Sequence, residues 1–184
     1  VLQGEVTLPG DGRAVTTWAM FTPEEGELWQ KAPEYLHDAT YYYSLWNGDY
    51  PYNQVTAVDG TISAGGGMEY PNVTVIGRSG SDSGLETVIV HEVGHNWFYG
   101  ILGSNERENA WMDEGINSFN ETRHLLTKYG EDKGSLPRAR GRLAQLFELD
   151  DFQYKWIDEL SYLFPARFGA DQPIQCHSLS LIHI

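Results

Sequence analysis

The chain has 184 residues, of which 41% are hydrophobic and 13% aromatic, enough to bury a sizeable core as one compact domain or a piece of one and too apolar for a disordered or fibrous chain. Its 26 acidic residues against 12 basic ones give a formal net charge of -14, which repels a phosphate backbone and removes the counterion release that drives nucleic-acid binding. The single cysteine, Cys176, excludes an internal disulfide and the Cys pairs of a zinc ribbon or finger, and no run of 18 apolar residues is present to span a membrane.

The chain opens at Val1 without an initiator Met, so upstream sequence is expected; a signal peptide or lipid anchor stays open, and with it the compartment. Leu2 to Leu8 and Ala14 to Phe21 alternate apolar and polar residues around the turn formers Pro9-Gly10-Asp11-Gly12, the pattern of a hairpin. From Glu25 to Trp46, apolar positions such as Leu36, Ala39, Tyr43 and Trp46 recur at helical spacing until Asn47-Gly48. That predicts one long helix, with Pro33 as its breaking point. Tyr41-Tyr42-Tyr43 reads as part of its core-facing side. Val55 to Val58 and Val73 to Ile76 are β-branched runs that read as strands flanking a glycine-rich loop, Gly65-Gly66-Gly67-Met68-Glu69-Tyr70-Pro71.

Ser83-Gly84-Leu85-Glu86 resembles a helix start, and apolar periodicity runs from Leu85 to Tyr99 and Gly100. Further helices are predicted for Trp111 to Tyr129, ending at Gly130, for Leu136 to Leu149 and for Phe152 to Phe164. Residues 179–184, Leu-Ser-Leu-Ile-His-Ile, fit no element and resemble a translated adapter, so 179–184 is expected to be a non-native tail.

The chemistry is concentrated in His91-Glu92-Val93-Gly94-His95. Two imidazoles four residues apart on a helix project from one face and can share one tetrahedral Zn²⁺. Glu92, one residue round, is kept off the metal and near enough to act as general base toward a metal-activated water. Taken singly, either histidine would more often be structural; a third ligand decides the matter. Trp111-Met112-Asp113-Glu114-Gly115 supplies it, with eighteen residues between His95 and Glu114, room for a turn and a returning helix. Asp113 is expected to orient a ligand or cap a helix. His37, His124, His177 and His183 lack a partner at ligand spacing and read as surface residues.

This pattern resembles the gluzincin signature of the aminopeptidase N and leukotriene hydrolase family of zinc metallopeptidases. The Gly66-Gly67-Met68-Glu69-Tyr70 segment is similar to that family's Gly-x-Met-Glu-Asn, departing from it at Tyr70. The resemblance implies that Gly66, Gly67, Met68 and Glu69 bind substrate, Glu69 pairing with a free α-ammonium, and that Glu121 supports a zinc ligand from behind. It also implies an α+β, thermolysin-like catalytic domain, partial over residues 1–178, with a small sheet lobe and a helical lobe enclosing one zinc.

The activity implied is a zinc-dependent aminopeptidase acting on peptides with a free N-terminus. Alternatives are a thermolysin-like endopeptidase and a non-catalytic, zinc-dependent peptide-binding scaffold. The family's oxyanion-stabilising Tyr is matched by neither Tyr154 nor Tyr162, and its N-terminal β domain is not matched at all. The chain is accordingly expected to be an incomplete fragment with impaired or no turnover of its own.

Overall fold

A computed structural model describes residues 1–60, 62, 66–130 and 162–170. The hairpin forms as its pattern predicts. β1 (Leu2–Thr7) pairs antiparallel with β2 (Ala14–Met20), and Val15, Thr17 and Ala19 alternate inward. The expected long helix is instead two short 3₁₀ turns, Pro23–Glu25 and Leu28–Lys31, followed by α1 (Ala32–Asn47). Pro33 lies in the first turn of α1, where its missing N–H costs nothing, so the proline starts the α-helix rather than interrupting it.

β3 (Gln54–Asp59) joins β2 in parallel, and β5 (Val73–Ile76) joins β3 in parallel. The segment expected to be only a loop contains a strand, β4 (Gly67–Tyr70), antiparallel to β5. Tyr70 pairs with Val73 across the two-residue turn Pro71-Asn72, and Asn72 takes a φ of 57°, the pattern of a type II turn. The mixed sheet runs β1-β2-β3-β5-β4, which leaves β4 at one edge.

Ser81 caps α2 (Asp82–Gly94), its Oγ accepting from Gly84 N at 3.1 Å. Leu85, Ile89, Val90 and Val93 bury α2 in a core shared with α1 and the sheet. At about 25 cal/mol per Å², each fully buried aliphatic side chain there contributes about 1.5–3 kcal/mol. The predicted helix ends earlier than expected: after His95 the chain makes a π-helical turn, Asn96–Ile101, broken at Phe98 and Tyr99. A second such turn, Trp111–Gly115, leads into α3 (Ile116–Tyr129), as the sequence predicts. No helix among the described residues is long and apolar enough to cross a membrane. Residues 162–167 are helical; the expected helix 136–149, most of 152–164 and the tail 179–184 lie outside the described residues.

His124 corrects a further sequence expectation. His124 is not a surface residue: it is 0% exposed, 3.9 Å from Glu86 and edge-on to the Tyr42 ring. The inward side of α3 is polar, its fully buried residues being Asn117, Asn120 and His124, so no apolar period marked that face. Burial raises the Glu86 carboxyl, and His124, Lys128 and Tyr129 outweigh this, holding it at about 2 against an ordinary 4.5. A carboxyl whose folded value lies below its unfolded one stabilises the fold fully above pH 4.5 and loses that contribution as pH falls towards 2. The shift corresponds to about 3 kcal/mol. When Tm is followed against pH, Glu86→Gln is expected to flatten the acid limb in that window.

Candidate metal and catalytic site

His91 occupies the last turn of α2, and His95 follows as its C-cap with φ -63° and ψ -14°, still right-handed helical. The two Nε2 atoms therefore converge to 3.2 Å. Glu114, in the π-helical turn before α3, brings Oε2 to 3.1 Å from His91 Nε2 and 3.8 Å from His95 Nε2. Tetrahedral zinc with bonds of about 2.0–2.2 Å requires ligand atoms about 3.3–3.5 Å apart. The three separations, 3.1, 3.2 and 3.8 Å, bracket that spacing, and two imidazole nitrogens with a carboxylate oxygen are donors that zinc takes.

The far side of each imidazole is tied down. Nδ1 of His91 meets Glu121 Oε2 at 2.9 Å, and Nδ1 of His95 meets the Phe98 carbonyl at 3.1 Å. An Nδ1–H donated to those oxygens leaves Nε2 with its lone pair toward the shared point. The Phe98 carbonyl is turned back on His95 where the backbone departs from helix, and the next residue, Tyr99, takes φ 117° and ψ -59°. For a non-glycine residue that conformation costs about 1–3 kcal/mol and is held by its surroundings.

Asn117 fastens α3 to α2: its Nδ2 donates to the His91 carbonyl at 2.7 Å, and its Oδ1 accepts from Tyr43 OH at 3.0 Å. A Cβ on Gly94 would overlap both Asn117 Oδ1 and the Tyr43 ring, which is why the pentad carries glycine there. Asn96 does the same toward the sheet. Its Oδ1 accepts from Asn72 N at 2.8 Å and its Nδ2 donates to the Val93 carbonyl at 2.8 Å, pinning the β4–β5 turn to the end of α2. The sequence reading missed Asn96, Asn117 and the Phe98 carbonyl. The nearest signal was an Asn directly after His95 and another three residues after Glu114.

Glu92 is 6% exposed, and its Oε2 has no hydrogen-bond partner among the described residues. Burial raises its carboxyl, His91 opposes this, and Glu69, Glu114 and Glu121 add to it, bringing it up to about 8. A cation held by the three ligands would act in the opposite direction. Glu69 on β4 also reaches the site: donor atoms of Glu69, Glu92 and His95 lie within 4.8 Å of one another, and burial raises the Glu69 carboxyl. Strand alternation places Gly67 and Glu69 on this side, while Met68 and Tyr70 are 37% and 55% exposed. Gly66, with φ 69°, leads into β4, and its carbonyl accepts from Gly77 N at 2.7 Å. Asp113 is buried in the turn that presents Glu114.

Gly67 faces Glu92 so closely that a Cβ there would overlap its carboxylate. Gly67→Ala is therefore expected to displace Glu92 while leaving His91, His95 and Glu114 in place; in the parent protein, bound metal should be unchanged and any hydrolytic rate that depends on Glu92 should fall by about 10²-fold. Metal content and hydrolytic rate measured on one preparation of the parent protein would separate these effects.

No protein-family profile matches the chain. In fold it is similar to an M1 zinc metallopeptidase from Deinococcus radiodurans, with a TM-score of 0.53 and 18% identity over 95% of this chain and 35% of that one. It is likewise similar to aminopeptidase A of Legionella pneumophila, crystallised with aspartic acid, with a TM-score of 0.56 and 13% identity over 90% of this chain and 22% of that one. The architecture is therefore that of the M1 zinc metallopeptidases, the class whose resemblance the motifs carry. In sequence, the chain is 30% identical over 79 residues to human aminopeptidase B, and equally to the rat and mouse proteins, across 42% of this chain and 12% of theirs. It spans only a small part of the length of the proteins it matches.

Proposed function

We propose that this chain is the zinc-binding catalytic core of an aminopeptidase, with His91, His95 and Glu114 holding one zinc ion. The observation that carries the reading is the convergence of three donor atoms at 3.1, 3.2 and 3.8 Å beside two further carboxylates, Glu92 and Glu69. Zinc bound there supplies Lewis-acid chemistry, polarising a scissile carbonyl and making water acidic enough to attack at neutral pH. Glu92, buried and with no partner at Oε2 among the described residues, takes a proton from the attacking water and delivers it to the leaving amine. Glu69 pairs with the substrate α-ammonium and sets which bond is cut, while the edge of β4 offers backbone groups to an extended peptide. Glu121 and the Phe98 carbonyl keep the two imidazoles in register.

The test is turnover of matched free and N-acetylated peptides by the parent protein, with and without chelator. Hydrolysis restricted to free N-termini, lost on chelation and weakened by Glu69→Gln, is the expected result. Efficient cutting of acetylated peptides would move the assignment to an endopeptidase. Zinc binding without turnover of either substrate would leave a peptide-binding scaffold.

A further inference from the structure

The side chains that α3 buries completely are Asn117, Asn120 and His124. The helix is thus docked largely by directed polar contacts: Tyr43 and Asn47 of α1 meet Asn117 and Asn120, and on α2 the contacts fall at two pins. At the first, Glu121 meets His91 and Asn117 meets the His91 carbonyl. At the second, two turns further along α3 and on the same face, Lys128 Nζ lies 2.8 Å from Glu86 Oε1, and Tyr129 OH donates to Glu86 Oε2 at 2.5 Å. Lys128 also reaches α1, at 2.7 Å from Asp38 and 3.0 Å from Glu34. This is no surface pair: the Lys128 side chain is 15% exposed and that of Glu86 4%.

One pin allows a helix to pivot or slide; two fix its register. The first pin is made by the ligand His91 itself, so by itself it cannot position that ligand. The second involves no residue of the site. We propose that Lys128 is a positioning residue for the metal centre: by tying α3 to Glu86 of α2 and to Glu34 and Asp38 of α1, it sets the distance at which Glu114 and Glu121 meet His91 and His95. The inference rests on the zinc reading above for its consequence, and on the ion-pair geometry alone for its premise.

The experiment uses zinc alone, titrated into the 184-residue chain against a chelating indicator. Lys128→Met is expected to weaken zinc binding about 10–100-fold, the range typical of outer-shell losses, and Lys128→Arg to restore it to within about threefold. Because a lone buried Glu86 carboxylate can unfold the chain, the double variant Glu86→Gln with Lys128→Met removes both charges and is expected to fold yet to bind zinc as weakly. Val15→Ala in β2 serves as a control that lowers Tm without touching α2 or α3, and its zinc affinity should match wild type. Zinc affinity within about threefold of wild type in a folded Lys128→Met or double variant overturns the proposal.

Amide exchange of the metal-free chain reads the premise separately. Residues 116–129 should exchange at least about tenfold faster in the double variant while β2 is unchanged. If wild type fails to bind zinc, as a His91→Ala control does, the zinc reading fails instead. Exchange then still decides the role of Lys128, an unaltered α3 ruling it out.

Discussion

Glu92→Gln is expected to keep one zinc per chain and to lose turnover by about 10²–10⁴-fold in the parent protein, the range that removal of a general base typically costs. The two halves of that result have separate structural origins. Zinc is retained because the three donors that converge to 3.1–3.8 Å belong to His91, His95 and Glu114, and the amide is nearly isosteric with the carboxylate it replaces. Turnover is lost because an amide cannot take up a proton. Glu69, the carboxylate grouped with Glu92 and His95, does not substitute, since in the proposed mechanism it is engaged by the substrate α-ammonium. Unimpaired turnover by Glu92→Gln, with wild-type metal content, would remove the mechanistic assignment altogether.

His95→Ala is expected to be the more severe change for the metal. His95 is 2% exposed, and its Nε2 lies 3.2 Å from His91 Nε2 and 3.8 Å from Glu114 Oε2. Losing it leaves two protein donors, fewer than a catalytic zinc site uses. Zinc affinity should fall by more than the roughly 100-fold that marks the upper end of outer-shell losses. A titration against a competing chelator measures this directly, and tight stoichiometric zinc in His95→Ala would mean that the ligands have been misassigned. Exogenous imidazole, small enough to occupy the emptied space, should restore part of the affinity.

The convergence of His91, His95 and Glu114 was legible because it is written in local spacing. His91 and His95 are one helical turn apart, and Glu114 follows after a turn and the start of the next helix. The hairpin was equally legible, its strands and turn lying within twenty residues. The strand β4 was not: four residues beginning with glycine carry little strand propensity, and it is pairing with β5 that makes them extended. The environment of His124 was also illegible, because its partners Glu86 and Tyr42 sit on two other helices. The Phe98 carbonyl could not have been found at all from residue types, since any residue supplies a carbonyl and only the backbone turn at Phe98 and Tyr99 aims it.

The polar inner face of α3 has a thermodynamic corollary. Pulling this helix away from α1 and α2 would wet the buried polar side chains Asn117, Asn120 and His124 and the Lys128 ion pairs, together with Ile116 and the Tyr42 ring that His124 meets. Heat capacity and denaturant slope both scale with the surface that unfolding exposes, the former chiefly with its apolar part. In urea, the opening of α3 should therefore be shallower with concentration than that of the sheet and α2, and salt, which screens ion pairs, should move α3 more than it moves the rest. Glu114 would then hang on a helix that the hydrophobic effect protects less than it protects α2.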